Sequence, residues 1–163
     1  MKHNLMQFIH QMDEIRLGKP WLGFSFKILL SRCPETKAFT SAGNNLFSPA
    51  QLLAHLTFWN RQIYTRVKTG IGPASDSHTD NWPENSKLKT QGWKEVIHEF
   101  DQAWVNLKTL LETKDDTFLD TTYSDPDFKK EFSYRFLLEG MIQHETYHMG
   151  QLAWALKMNN EKH

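Results

Sequence analysis

Two histidines four residues apart have the residue type and spacing in this sequence that best suit chemistry. His144 and His148 lie in a segment of helical periodicity, so their side chains project from one face with about 5–6 Å between Cβ atoms. Two imidazoles at that spacing can reach one transition-metal ion at about 2.0–2.1 Å. Spacing alone is weak support, because eight histidines in a chain of this length give about 0.4 such pairs by chance.

The position of the pair on its helix strengthens the metal hypothesis. Both imidazoles fall within the apolar stripe formed by Leu137, Met141 and Leu152. A single buried imidazole is satisfied by one hydrogen bond, whereas two at the same depth need a shared partner, and a metal ion is such a partner.

His55 is predicted to be the third ligand. It lies at the edge of the apolar stripe of an earlier helix, where a histidine taken alone is typical of a core or boundary position. A two-histidine site that needs a third ligand favours it, since bundles build metal sites from facing helices. The other histidines are predicted to be solvated, on polar helix faces, in a loop or at the terminus: His3, His10, His78, His98 and His163.

The same segment matches H-E-x-x-H, the zinc-protease motif in which the glutamate, here Glu145, is the general base. Zincins take their third ligand downstream, but the extended pattern fails because Gly150 is one residue early and no histidine follows at the required spacing. A protease is therefore the least favoured interpretation. Glu145 is predicted to be a solvated flank residue, with a role as a base or beside the ligands as the alternative.

Gln151 is the best candidate for a polar group near the ion. It follows His148 by nearly one turn and His144 by seven residues, on the same helix face. A surface or dimer-contact glutamine fits the pattern equally well. Trp59, one turn beyond His55, is predicted to be a core residue rather than a wall that stacks on substrate.

Helical periodicity runs through most of the chain. The best start signal is Ser48 as N-cap, with Pro49 at the first helical position and Gln51 completing a capping box. Polar stretches from Gly70 to about Ser86 and from Thr113 to about Glu131 predict long connections, and no strand pattern is evident. Four amphipathic helices are predicted, over about 5–16, 48–69, 93–111 and 134–155. We therefore predict an all-α four-helix bundle, with residues 1–163 as a single domain.

Charge and composition exclude several classes of protein. Lys plus Arg equals Asp plus Glu at 19 each, so no net field favours nucleic acid or an anionic membrane. No stretch approaches the roughly 18 apolar residues that span a bilayer, and the N-terminus lacks the features of a signal peptide. The single cysteine, Cys33, excludes an internal disulfide and is predicted to be a small buried residue. We predict a cytoplasmic protein.

Several local motifs together resemble the DinB/YfiT-like superfamily, over about residues 20–158. The most specific is the ending H-x-x-Y-H-x-G-Q, from His144 to Gln151. The other segments that carry the resemblance are Trp21-Leu22-Gly23, Ser48-Pro49, Ala54-His55-Leu56 with Trp59, Asn81-Trp82-Pro83 and Trp93. The chain departs from many members in having Glu145 at the zincin position.

The resemblance implies a four-helix bundle that binds zinc, nickel or iron through three histidines, which fall on His55, His144 and His148. It also implies a homodimer that acts on a small molecule. Some members are S-transferases using bacillithiol or glutathione, some are mycothiol-dependent isomerases, and many others are described only as metal-dependent hydrolases. The resemblance implies no DNA contact.

Three neutral imidazoles leave coordination positions open, which is typical of a catalytic metal. The favoured hypothesis is thus an enzyme that performs hydrolysis or thiol transfer on a small molecule, with a low-molecular-weight thiol as cosubstrate in the second case. The alternative is a non-catalytic bundle in which the metal stabilises the fold. An open pocket beside the ligands distinguishes the first from the second.

Overall fold

The computed structural model describes residues 3–41, 43, 46–73 and 77–161 of the chain. Its helices are, in chain order, α1 (His3–Leu17), α2 (Phe26–Ser31), α3 (Glu35–Ala38), α4 (Pro49–Thr69), α5 (Asn85–Gln91), α6 (Trp93–Glu112) and α7 (Tyr134–Glu161). A 3-10 helix covers Asp116–Asp120. The long helices α1, α4, α6 and α7 confirm the predicted four-helix bundle.

The four long helices pack in a closed ring. Helix α4 packs against α6 and α7, and α1 packs against the same two helices from the opposite corner. Their apolar faces meet in one core, which includes Leu53, Leu56, Phe100, Leu107 and Leu152. Burial of these faces is the main source of stability for the bundle.

Local signals fix the ends of α4, the helix that carries His55. The Ser48 hydroxyl accepts a hydrogen bond from the Gln51 backbone N–H at 3.1 Å, and the Gln51 side chain accepts one from the Ser48 N–H at 3.2 Å. The predicted capping box is thereby confirmed. At the other end Gly70 adopts φ 75°, the left-handed conformation that glycine tolerates best, and ends the helix.

A small β-hairpin lies in the stretch that the sequence predicts to be an irregular connection, so that prediction is wrong. Strand β1 (Thr122–Asp125) pairs with β2 (Lys130–Ser133) in antiparallel register, with Tyr123 opposite Phe132. Each strand has only four residues, which is too few for a clear alternating pattern. The chain after α4 also joins the hairpin, since the Gly72 N–H donates to the Ser124 carbonyl at 2.8 Å.

A buried polar network ties the four long helices together at their centre. Arg16 of α1 donates to the Glu145 carboxylate of α7 at 2.7 Å and to the Phe100 carbonyl of α6 at 3.0 Å. Asn60 of α4 donates to the same Glu145 oxygen at 2.6 Å. Glu145 is completely buried, so the prediction that it is a solvated flank residue is wrong. Spacing along α7 could not reveal a partner 129 residues away.

Two further predictions concern Cys33 and membranes. The Cys33 side chain is buried, and removal from water raises the pKa of its thiol to about 11. The thiol therefore stays protonated, as expected of a small core residue rather than a nucleophile.

Across the described ranges, no helix combines the length and the apolar character that a membrane span requires.

Candidate metal centre

Helices α4 and α7 bring His55, His144 and His148 together. The ring nitrogens that the three side chains offer lie within 4.8 Å of one another. The Nε2 atom of His144 lies 3.0 Å from Nε2 of His55 and 3.0 Å from Nε2 of His148. Within the described part of the chain this is the single cluster of at least three potential metal ligands.

Hydrogen bonds at the outer nitrogens of His55 and His148 determine which nitrogen of each of these two rings faces the cluster. The Nδ1 of His55 lies 3.3 Å from the Asn81 carbonyl oxygen, which can only accept, so Nδ1 carries the hydrogen. The Nδ1 of His148 likewise donates to the Gln151 side-chain oxygen at 2.7 Å. The Nε2 atoms of both neutral rings are therefore left with lone pairs directed toward the cluster.

Aromatic rings hold His55 from one side. The indole of Trp82 stacks on the His55 imidazole with 3.8 Å between centroids and 11° between planes. Phe47 stacks on the other face of that indole at 3.6 Å. This three-ring stack, together with the Asn81 carbonyl, fixes the orientation of the imidazole and keeps water from its face.

Burial holds the imidazoles neutral. The pKa of His55 is lowered from 6.5 to about 4 and that of His144 to about 3, and removal from water is the largest cause of both shifts. The charge of a protonated His148 contributes to both pKa shifts, and that of a protonated His55 contributes to the shift of His144. Burial also lowers the pKa of His148, opposed by the Gln151 hydrogen bond and by the Glu145 carboxylate. Neutral imidazole is the form that metal ligation requires.

The donor set fits a divalent transition metal. Nitrogen ligands at about 2.0–2.1 Å from one ion stand about 3 Å apart when they subtend a right angle, and the two Nε2 separations here are 3.0 Å. Lone pairs brought this close repel one another unless a proton or a cation lies between them. A hydrogen on His144 Nε2 can be shared between the other two nitrogens only as a weak bifurcated hydrogen bond. A single cation binds all three nitrogens.

A cavity of about 560 Å³ opens beside the imidazoles of His55 and His144. It lies between α4 and α7 and is bordered by the β-hairpin, and its volume is within the range of about 300–1,000 Å³ that small-molecule sites occupy. The apolar part of its wall includes Trp59, Ile63, Tyr123, Leu137 and Met141. Trp59 is half-buried and lines this wall, so it faces the cavity rather than serving only the core.

The family model of the DinB superfamily matches residues 25–152. The chain belongs to the DinB superfamily. Among solved structures it is similar to YfiT from Bacillus subtilis, which is described as a probable metal-dependent hydrolase with an unusual four-helix bundle topology. The TM-score is 0.68 at 14% identity, over 96% of this chain and 88% of YfiT. Comparison with curated proteins gives no match.

Membership of the DinB superfamily and the likeness to YfiT confirm the fold that the sequence motifs predict. At 14% identity the likeness concerns the fold alone. The three histidines that the family resemblance singled out are the three that the structure places together. The described histidines predicted to be solvated are exposed, namely His3, His10, His78 and His98, and His163 lies outside the described residues.

Gln151, the candidate for a polar group near the ion, and Glu145, for which a role beside the ligands is the alternative prediction, occupy different places in this DinB-superfamily bundle. Gln151 contacts His148 rather than the space between the imidazoles, and its amide nitrogen donates to the Tyr147 hydroxyl at 2.9 Å. Glu145 points into the bundle centre, toward Arg16. Sequence reasoning missed the stacking role of Trp82 and the presence of Arg66 in the cavity wall. Arg66 follows His55 by three helical turns, which a helical projection would have placed on the same face.

Proposed function

We propose that this protein is a metal-dependent enzyme acting on a small molecule, with His55, His144 and His148 as the ligands of a zinc, nickel or iron ion. The observation that carries the proposal is the convergence of the three Nε2 atoms beside a cavity of about 560 Å³. A metal that only stabilises a fold is enclosed by its ligands, whereas a catalytic one keeps a position open. The cavity therefore favours a catalytic role over a structural one.

The reaction is proposed to be hydrolysis or the transfer of a thiol. The three histidines would hold a divalent ion, which would supply Lewis acidity and favour the deprotonated, nucleophilic form of a water or thiol. The protein's own contribution is orientation: Asn81 and Trp82 fix His55, and Gln151 fixes His148. Apolar side chains such as Met141 and Leu137 exclude water from the substrate's body.

Proteolysis by an H-E-x-x-H mechanism is not supported. The proposed base would be Glu145, but one of its oxygens is held by Arg16 and Asn60 in the bundle centre. Its side chain is fully buried and is not part of the cavity wall. A general base must lie within hydrogen-bond reach of its proton.

The first test is the metal content of the purified protein, measured by elemental analysis. We expect about one transition-metal ion per chain, lost in His144→Ala but retained in His98→Ala, which removes an exposed histidine of α6. Circular dichroism should show that both variants keep their helices. Equal metal in the wild type and in His144→Ala would refute the proposed centre.

The second test separates the two reactions. The metal-loaded protein is assayed with aryl esters in the absence of thiol, and with an electrophilic aryl halide in the presence of glutathione or bacillithiol. Ester cleavage without thiol supports hydrolysis, and thiol-dependent consumption of the halide supports transfer. Metal-loaded protein that performs neither, but unfolds at lower temperature on metal removal, would support the structural role instead.

A further inference from the structure

A buried arginine lies in the cavity wall, away from the imidazoles. Arg66 follows His55 by eleven residues on α4, which is three turns and about 16 Å of helix rise, so both face the cavity. Trp59 and Ile63 line the wall between them. Arg66 is only 4% exposed. The cavity thus has the histidine cluster toward one end, a cationic side chain toward the other and an apolar stretch between.

The guanidinium of Arg66 is incompletely paired. Its Nη2 atom donates to the Asp125 carboxylate at 3.4 Å, and the guanidinium carbon Cζ lies 5.8 Å from the ring centroids of Trp59 and Tyr123. Its Nη1 atom has neither a protein acceptor nor solvent contact in the described structure. Gly72 covers the pair so closely that a Cβ atom there would lie 3.2 Å from Arg66 Nε and Nη2.

Asp125 does not accept a hydrogen bond from the remaining donor, Nη1 of Arg66. Its second oxygen accepts the backbone N–H groups of Asp127 and Phe128, at 3.1 and 3.5 Å, in the hairpin turn. A buried charged donor without an acceptor is unfavourable, and an oxygen acceptor on a ligand would relieve it. An ionised oxygen forms the stronger hydrogen bond with a guanidinium. Asp127 also borders the cavity, but it is exposed and its charge is screened by water.

We propose that the cavity takes an organic anion whose carboxylate, sulfonate or phosphate group is bound by the guanidinium of Arg66, which borders the cavity. The apolar body would lie along Trp59 and Ile63, and the reacting group would reach the three histidines. The inference rests on the proposed function and extends it by naming the substrate class. Arg66 acts here as a specificity residue, since it selects ligands by their charge.

Two dyes that differ only in charge test the proposal. Anilinonaphthalene sulfonate carries an anionic group, and N-phenylnaphthylamine is the same aromatic body without it. Their dissociation constants are measured by fluorescence on the purified protein and on the double variant Arg66→Met/Asp125→Asn, which removes the pair together and leaves no unpaired buried charge. The control is Arg61→Met, an exposed arginine of the same helix outside this cavity.

We expect the double variant to bind the anionic dye about tenfold more weakly, a loss of about 1.4 kcal/mol, and the neutral dye within about twofold of wild type. Arg61→Met should bind both dyes as wild type does. Equal weakening of both dyes, or an unchanged preference for the anion, would overturn the proposal. So would an anion preference that survives loss of Arg66 but disappears in His144→Ala, because the anion would then bind at the metal centre.

The outcome is separable from that of the proposed function. Elemental analysis of the same preparations reports on the metal centre alone, and the change in dye preference between wild type and Arg66→Met/Asp125→Asn reports on the arginine end. Protein that holds its metal but does not discriminate between the dyes would refute only the proposed anion site. Protein that discriminates between the dyes but holds no metal would refute only the proposed metal centre.

Discussion

Replacing Glu145 by glutamine should destabilise the whole bundle, although the residue occupies the position of a catalytic base in its motif. The Glu145 carboxylate accepts hydrogen bonds from Arg16 at 2.7 Å and from Asn60 at 2.6 Å, and both members of the ion pair are buried. Glutamine preserves the shape and one oxygen acceptor but removes the charge. The Arg16 guanidinium would then be a buried cation without a counter-ion.

The magnitude follows from that burial. Removing one partner of a buried ion pair costs about 3–5 kcal/mol, and the oxygen that glutamine keeps places Glu145→Gln near the lower value, about 3 kcal/mol. The free energy of unfolding of an ordinary domain is about 5–15 kcal/mol. For a chain of this size, about 3 kcal/mol corresponds to a melting temperature lowered by about 6–12 °C.

The assay is urea unfolding followed by circular dichroism, with two comparison variants. Glu99→Gln removes the carboxylate of the solvent-exposed pair between Arg61 and Glu99, whose side chains are 57% and 37% exposed, respectively. We therefore expect the free energy of unfolding to fall by less than about 1 kcal/mol. Arg16→Met/Glu145→Met removes the buried pair together. It should recover most of the stability that Glu145→Gln loses, because apolar replacement of a buried ion pair is often neutral or stabilising.

The reasoning fails if Glu145→Gln unfolds at the same urea concentration as Glu99→Gln. A fully stable Glu145→Gln that keeps its metal and loses its activity would show instead that the carboxylate acts in the reaction, as the zinc-protease motif suggests. A double variant less stable than the single one would show that the pair itself stabilises the bundle rather than merely satisfying two buried charges.

Three further predictions concern the metal site and its helices. Because burial lowers the pKa of His55 to about 4, acid should release the metal only well below about pH 6.5, and elemental analysis after dialysis that finds the site empty at about pH 6 would contradict this. The metal-free protein should lose stability as pH falls from about 6.5 toward 4, since the unfolded chain binds more protons than the folded one in that range. Trp82→Ala should admit water to that imidazole, raise its pKa in an NMR titration and weaken metal binding about 10–100-fold, whereas an unchanged pKa would show that the indole does not shield the ring. Gly140→Ala and Gly150→Ala should each stabilise α7 by about 0.5–1 kcal/mol in thermal unfolding, because a Cβ at either glycine meets no atom within 4 Å; a destabilised variant would refute this.

The helices were predictable because their signals are local. The ends of α4 are encoded by Ser48, Gln51 and Gly70, which lie in or next to the helix they bound. The hairpin was not predictable, since its four-residue strands depend on contacts with other segments, such as the backbone hydrogen bond from Gly72 to Ser124. A strand that short is selected by tertiary contacts rather than by its own sequence.

The candidate site was predictable only in part for the same reason. Helical spacing places His144 beside His148, but the approach of His55 depends on how α4 and α7 pack, which no local pattern specifies. The family resemblance supplied that link. The orientation of Glu145 differs from the prediction because its partner, Arg16, lies on another helix and satisfies the charge in place of solvent.

Glu145 and His144 are adjacent in sequence yet serve different sides of α7. Successive residues of a helix point about 100° apart, so holding Glu145 toward Arg16 at the bundle centre sets the rotation of α7 about its axis. That rotation directs His144 toward the cavity and toward His55. We therefore expect the ion pair to position the imidazoles through the helix. The double variant Arg16→Met/Glu145→Met should then keep its metal only if apolar packing preserves the same rotation. A folded double variant without metal would show that the ion pair, rather than the core around it, aligns the site.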